Sequence, residues 1–366
     1  MKIALCFCLF YALAFGDETE TEVYTSTNPL GLHQKKTFYS SGQTLDLYST
    51  NKEIRNIFVP PSALDMFDFY TPDPSKHPPV YFNLYENGKN EGIYLLNNRT
   101  ARKIKDGTDS VADYPFGEFD VDSVLIYMTA SDGIYTYNPK SQDIDKFGNI
   151  TEDFKAIDKV SNQDEIYALG ADNKIYNITA KGTVKTKVDG IEYAKDFVLD
   201  FQGAIYFLGE DNKPQVLYKG SATPVKVTGL NFEVKKPILA RPLWMPEMMS
   251  SDDTSEDHAV PFIIDGVAYL LMNNSAVVNP CDAKVGGLTA FSAEYGFVHF
   301  YGEKGHIYMH SVLASTPSGV LKRGPSKQRH VVAFNRDVEA DYRVFKELRR
   351  KHRPDHSSAT KLRHGL

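Results

Sequence analysis

The sequence predicts an all-β chain: a closed ring of six small four-stranded sheets, followed by a basic C-terminal tail that carries an amphipathic helix. Three observations predict it. The first is a repeated stretch in which a polar corner leads into a strand-like run: "NEGIYLLNNR" (90–99), "ASDGIYTYNP" (130–139), "ADNKIYNITA" (171–180), "NKPQVLYKGS" (212–221), "DGVAYLLMNN" (265–274) and "EKGHIYMHSV" (303–312). The tyrosines of these stretches, Tyr94, Tyr135, Tyr176, Tyr218, Tyr269 and Tyr308, follow one another at 41, 41, 42, 51 and 39 residues. The second is a partner run just upstream of each: "VYFNL" (80–84), "LIYMT" (125–129), "EIYAL" (165–169), "AIYFL" (204–208), "PFIID" (261–265) and "FVHFY" (297–301). Two strand-like runs joined by a polar turn, often with Gly, read as a hairpin. The third is that the period leaves room for two more strands, one before the hairpin in "GEFDVDS" (117–123), "KAIDKVS" (155–161) and "FVLDFQG" (197–203), and one after it in "KSQDIDKFG" (140–148) and "AKGTVKTKVDG" (180–190). Four short strands in about 40 residues are the signature of a β-propeller blade. One such sheet cannot bury both faces alone, whereas blades stacked radially share a continuous core and leave only short outer edges. The repeated tyrosines are expected to pack between blades and to do no chemistry.

Taken in chain order, residues 1–16, "MKIALCFCLFYALAFG", have one Lys, an apolar run and small residues before the polar change at Asp17, the pattern of a secretory signal peptide and too short for a membrane span. An exported, extracellular protein with no membrane span is expected. Residues 17–36 are polar and acidic and read as a disordered N-terminal segment. The six-bladed propeller is assigned to residues 37–321, with residues 37–79 completing the inner strand of the first blade and available to add an outer strand to the last. Cys6 and Cys8 leave with the signal peptide, so a mature chain keeps Cys281 alone and must rely on its core, which an apolar content of 42% can supply. Glycosylation sequons at Asn98, Asn149, Asn177 and Asn273 fit export and are expected on blade turns.

The 51-residue interval carries an insertion, "RPLWMPEMMSSDDTSEDHA" (241–259), with the chain's one Trp, Trp244, beside Met245, Met248 and Met249. It reads either as a surface excursion whose apolar half packs on a neighbouring blade or as an adaptable wall for a ligand. In the tail, residues 322–366, Val331, Phe334, Val338, Tyr342, Phe345 and Leu348 recur at three- and four-residue steps, so a helix is expected over about 336–352, capped by Asn335 and stopped by Pro354. The helix either docks on the propeller or forms an arm for a protein partner or an anionic surface; cleavage at basic pairs such as Lys322-Arg323 is a further alternative. The tail holds 13 Lys and Arg against 5 Asp and Glu, a net charge of +8, which with +1 on the signal peptide leaves −15 on residues 17–321. An acidic body would oppose a phosphate backbone, so nucleic acid is excluded as a partner.

No nucleophile elbow, Walker loop, dinucleotide fingerprint or zinc-protease helix motif occurs in the sequence. His306 and His310 are roughly 13 Å apart along a strand, too far for one metal ion. Asp252, Asp253, Glu256, Asp257 and His258 lack the alternation of a calcium loop. Asp120, Asp158 and Asp200 recur at matching places, which suits the structural task of capping a turn once per blade better than catalysis. No metal site, cofactor or catalytic residue is therefore expected, and the chain reads as non-catalytic. Candidate ligand-binding residues are those placed in loops and inner strands near the tunnel mouth: Phe116, Tyr193, Lys195, Arg241, Trp244 and Phe291. Flat apolar faces beside sparse cations suit a small planar, acidic aromatic ligand.

The stretches "FGEFDVDSVLIYMTASDGIYTYNPKSQDI" (116–144) and "AKDFVLDFQGAIYFLGEDN" (194–212), with the signal peptide, resemble the ommochrome-binding proteins of moth and butterfly haemolymph. The resemblance covers roughly residues 60–312, and the Met-rich insertion and basic tail depart from it. It implies a secreted six-bladed propeller that carries a tryptophan-derived pigment non-covalently in haemolymph. Two other classes remain: an extracellular structural or interaction protein that uses the propeller surface and the tail, and a calcium-dependent lactonase- or esterase-like hydrolase.

Overall fold

The structure, a computed structural model, describes residues 43–60, 77–107, 110–112, 125–159, 164–200, 202–242, 259–272, 274–278, 287–295 and 298–311. These residues fall within one compact unit. The expectations for the signal peptide, the N-terminal segment, Phe116, Asp120, Trp244 and its insertion, Asn273, Cys281 and the C-terminal helix lie outside the described residues.

The chain is all-β, a six-bladed β-propeller of four-stranded antiparallel sheets. Strand β1 (Gln43–Ser49) precedes the first blade, which is β2 (Glu53–Phe58), β3 (Val80–Glu86), β4 (Lys89–Asn97) and β5 (Thr100–Lys105). The second is β6 (Val111–Ala112), β7 (Ile126–Ala130), β8 (Gly133–Tyr137) and β9 (Ile144–Lys146). The third is β10 (Phe154–Asp158), β11 (Glu165–Gly170), β12 (Ile175–Thr179) and β13 (Val184–Lys187). The fourth is β14 (Phe197–Leu199), β15 (Ile205–Leu208), β16 (Pro214–Leu217) and β17 (Val225–Lys226). The fifth is β18 (Ile238–Leu239), β19 (Val260–Ile264), β20 (Val267–Met272) and β21 (Ser275–Val278). The last combines β22 (Leu288–Tyr295), β23 (Val298–Glu303) and β24 (His306–Ser311) with β1, which pairs antiparallel with β24 as its outer strand. The N-terminal strand thus closes the ring. Thr44 and His310 are bonded through Oγ1 and Nδ1 at 2.8 Å, and Asp46 Oδ2 and His306 Nδ1 at 2.9 Å, so these two histidines fasten the closing strand.

Closure comes from packing between blades. The first strands touch around the ring, β22 against β2, β2 against β6, β6 against β10, β10 against β14, and β18 against β22. Buried clusters fill the junctions: Phe58, Tyr81, Ile93, Met128 and Tyr137 between the first and second blades, and Ile134, Phe154, Ile166 and Ile178 between the second and third. Leu169, Ile175, Phe197, Phe207 and Leu217 fill the next, Tyr206, Val216, Phe262 and Leu271 the one after, and Ile263, Phe291, Tyr301 and Tyr308 the junction of the fifth and sixth.

The repeated motif acquires a physical reason at each position. Gly92 and Gly133 precede the Ile-Tyr pair at φ +114° and +127°, and an added Cβ would stand 2.2 Å from the carbonyl oxygens of Lys105 and Ile150 respectively. No L side chain fits there. Tyr135 and Tyr176 donate their hydroxyls to the turn carboxylates of Asp132 and Asp172, at 2.6 and 2.7 Å. Lysines of outer strands lie over the tyrosine rings: Lys103 over Tyr94, Lys105 of the first blade over Tyr135 of the second, and Lys185 over Tyr176. The tyrosines therefore face outer strands as well as neighbouring blades.

One member of the series is out of phase. Tyr135, Tyr176, Tyr269 and Tyr308 pack toward the preceding blade, whereas Tyr218 packs into the cluster between the fourth and fifth, toward the following one. The residue 41 positions after Tyr176 is Leu217, and it is Leu217 that fills the junction with the third blade. A step of one residue along a strand reverses the face, which is why the 42-residue interval marks a slip rather than a longer blade.

Candidate functional site

Strand β14 borders the axis of the ring, and its hydrogen bonding determines what the axis presents. Leu208 N donates to Asp196 O and Asp200 N to Ala204 O, so alternate residues 196, 198 and 200 bond toward β15. The amides of Phe197 and Leu199 consequently point away from β15, toward the axis. Both are capped by carboxylates: Phe197 N donates to Asp196 Oδ1 at 2.9 Å, and Leu199 N donates to Asp158 Oδ2 at 2.7 Å. Asp158 belongs to the end of β10 in the third blade, so its side chain crosses a blade boundary. It also accepts from Lys159 N at 2.7 Å.

Arg241 reaches the same place from the fifth blade, just past the end of β18. Its Nε lies 3.1 Å from Asp158 Oδ1, with the Arg241 side chain 13% exposed and that of Asp158 3%. Nη2 donates to the carbonyl of Lys159 at 3.2 Å, and the guanidinium carbon sits 5.4 Å from the ring centre of Phe58, at the end of β2 in the first blade. One cation thus joins blades one, three and five, while Asp158 joins three and four. Lys159 turns outward from this group: its ammonium donates to Glu165 O and faces the Tyr127 ring, and burial lowers its pKa against the opposing pull of Asp164 and Glu165.

Asp196 is the second carboxylate on this edge. The described residues bring it no cation within ion-pairing distance. It is half-buried, and loss of bulk water pushes its carboxyl up to about 7, against the bond from the Phe197 amide and with the charge of Asp158 adding to the rise. Asp200, by contrast, caps its own turn, accepting from Gln202 N and Ala204 N at 2.9 and 2.8 Å. The expectation that both Asp158 and Asp200 cap turns holds for Asp200; Asp158 is an inter-blade ligand of Arg241 and of the β14 edge.

The four candidates among the described residues do not gather. Tyr193 and Lys195 lie in the link that enters β14, and Arg241 lies past the end of β18; because the blades repeat by rotation, the starts and ends of first strands are on opposite faces of the ring. Lys195 is exposed and its ammonium donates to Glu210 O and Asn212 Oδ1, at 2.6 and 2.8 Å, in the turn between β15 and β16. Phe291 is buried in the junction of the last two blades, its ring 5.7 Å from that of His299. Its task is packing. Of the four candidates among the described residues only Arg241 is placed at the axial group, and both cations on which an acidic ligand was expected to rest are already engaged. Phe58 and Asp196 were missed; the recurrence of Asp-Phe at 153–154 and 196–197, ahead of two first strands, was the available signal for Asp196.

Among the sequons, Asn98 is exposed in the turn between β4 and β5 and Asn149 is exposed between β9 and β10. Asn177 is not on a turn. It lies within β12, and its Nδ2 donates to Glu165 Oε1 at 2.7 Å. Among the described residues no group of three or more His, Cys, Asp and Glu is arranged to hold a metal ion, and no helix is long and apolar enough to cross a membrane.

No protein-family model matches the chain, and no curated protein matches its sequence. Among solved structures it is similar to a protein of unknown function from Bacteroides thetaiotaomicron (TM-score 0.47, 10% identity, 75% of this chain and 73% of that one). It is similar also to U3-55K (TM-score 0.44, 9% identity, 75% and 100%) and to BBS1N, solved in complex with ARL6DN (TM-score 0.42, 12% identity, 71% and 79%). Likenesses this distant say nothing of what the chain does.

Proposed function

We propose that this chain is an exported, non-catalytic carrier that shelters a small planar aromatic molecule at the axis of its propeller, an ommochrome-type pigment being the chief candidate. The observation that carries the reading is the meeting of Phe58, Asp158 and Arg241, from three different blades, at the axial end of β14. Fixed charges that converge from several blades are what a small-molecule site needs for orientation. The signal peptide and the resemblance to haemolymph pigment carriers support export and the ligand class. The hydrolase reading is disfavoured because Asp158, the axial acid best placed for a metal, is neutralised by Arg241 and caps two backbone amides.

The test is to purify the native exported protein, record its visible absorption, and identify by mass spectrometry what denaturation releases. A stoichiometric aromatic molecule supports the carrier. Colourless, ligand-free protein that hydrolyses esters or lactones until a chelator is added overturns it.

A further inference from the structure

We propose that the sixth blade carries an acid-sensitive clasp: protonation of the facing histidines His299 and His310 loosens the N-terminal strand β1 and opens the ring at its outer edge. The clasp stands apart from the carrier reading, since it concerns the edge of a blade and not the axis. Strand register brings its parts together. His310 of β24 is directly opposite His299 of β23 on one side and Thr44 of β1 on the other. Directly opposite residues share a face of the sheet, so the three side chains form one row across the blade. His310 Nδ1 is 2.8 Å from Thr44 Oγ1, and His310 is 1% exposed and His299 6%. Opposite residues have Cβ atoms about 5 Å apart, so two imidazolium charges would meet at close range with little water to screen them.

The other groups on this face do not reverse that effect. β23 and β24 add Tyr301, Glu303, His306 and Tyr308, β1 adds Asp46, and β22 adds Phe291 and Ala293, Glu294 taking the alternate position in that strand. The facing strands of the fifth blade, β18 to β21, contain no charged residue, and Tyr269 packs toward the fourth blade. Burial pushes the Tyr308 hydroxyl up to about 12 and raises that of Tyr301 as well, so neither ionises near neutrality. Glu303 is paired with Lys304 at 3.5 Å, and Asp46 with His306 at 2.9 Å. The side chains of the Asp46–His306 pair are 25% and 37% exposed. A pair so open to solvent is worth less than a tenfold change in equilibrium, whereas burial shifts protonation by up to several powers of ten. The buried histidines therefore set the direction.

An exposed imidazole charges near about pH 6.5, and one held away from water charges at lower pH. Below about 6.5 the open form thus binds more protons and gains on the closed one. Between pH 7.5 and 5.5 one such histidine favours opening about tenfold and two about a hundredfold. β1 is the element that yields, because it lies at the sheet edge with β24 as its one neighbour there. Its Leu45 and Leu47 are buried, which keeps it shut while the histidines are neutral.

The experiment is hydrogen–deuterium exchange of the full exported chain at pH 7.5 and 5.5, corrected for the intrinsic pH dependence of exchange. Acid should raise the opening of β1 and β24 about a hundredfold relative to β11 and β12 of the third blade. The response should fall to about tenfold in His299→Phe and in His310→Gln, which keeps a polar group for Thr44, and vanish in the double variant; His306→Gln should leave it intact. A wild-type response below about tenfold, one that neither variant reduces, or one that His306→Gln removes overturns the clasp. Should a variant fail to fold, imidazole ring signals of the wild type decide: His299 and His310 titrating below about pH 6 support the clasp, and titration at or above about 6.5 overturns it. Both measurements read the strand and its histidines rather than a ligand, so neither result bears on the carrier.

Discussion

Replacing Asp196 by Asn should make the protein more stable at neutral and alkaline pH and leave it little changed in acid. The carboxyl has an ordinary pKa of 3.8 and stands at about 7 in the fold, so the fold prefers its neutral form. A group of this kind imposes no penalty below about pH 4. The penalty grows as pH rises from 4 to 7 and is complete above 7, where it amounts to about 4 kcal/mol at 1.36 kcal/mol per tenfold change in proton affinity. Asn retains an oxygen for the Phe197 amide, which donates to Asp196 Oδ1 at 2.9 Å in the native protein, and carries no charge to desolvate. Urea denaturation of both proteins at pH 4.5, 6 and 8 isolates this group, because every other ionisation cancels in the difference. The variant should gain on the wild type as pH rises, by about 3 kcal/mol at pH 8 relative to pH 4.5. A difference that does not change with pH, or a variant that is the weaker of the two at pH 8, would refute the assignment of Asp196 as a desolvated carboxyl.

Arg241→Gln should cost about 3–5 kcal/mol, because it leaves Asp158 buried without its cation, whereas Lys195→Ala on the exposed turn should stay within about 0.5 kcal/mol; denaturant midpoints separate the two. Asp158→Ala should be worse than Arg241→Gln, since it orphans the amides of Lys159 and Leu199 as well as the guanidinium. Leu217→Ala should cost about 2–5 kcal/mol as a cavity between the third and fourth blades, and more than Tyr218→Ala if the slip of phase is real. In secreted protein, glycopeptide mapping should find sugar on Asn98 and Asn149 and none on Asn177, whose amide nitrogen is held by Glu165; a glycan on Asn177 in folded protein would contradict the hydrogen bond.

The blades were legible because each is local. A hairpin such as β7–β8 places Met128 opposite Tyr135 across a two-residue turn, and that alternation is written in twelve consecutive residues. Ring closure was not, because Thr44 meets His310 across 266 positions and nothing near either residue announces the other. The slip at Tyr218 escaped for a related reason: Leu217 and Tyr218 are both credible strand residues, and only the packing of the third blade against the fourth decides which one points inward. At the site, residue type was readable and partnership was not. Lys195 and Arg241 are equal as cations in the sequence; the fold gives one a turn carbonyl and an asparagine, and the other a buried carboxylate two blades away. Asp153 and Asp196 likewise share an Asp-Phe context, yet the first is exposed and the second is half-buried.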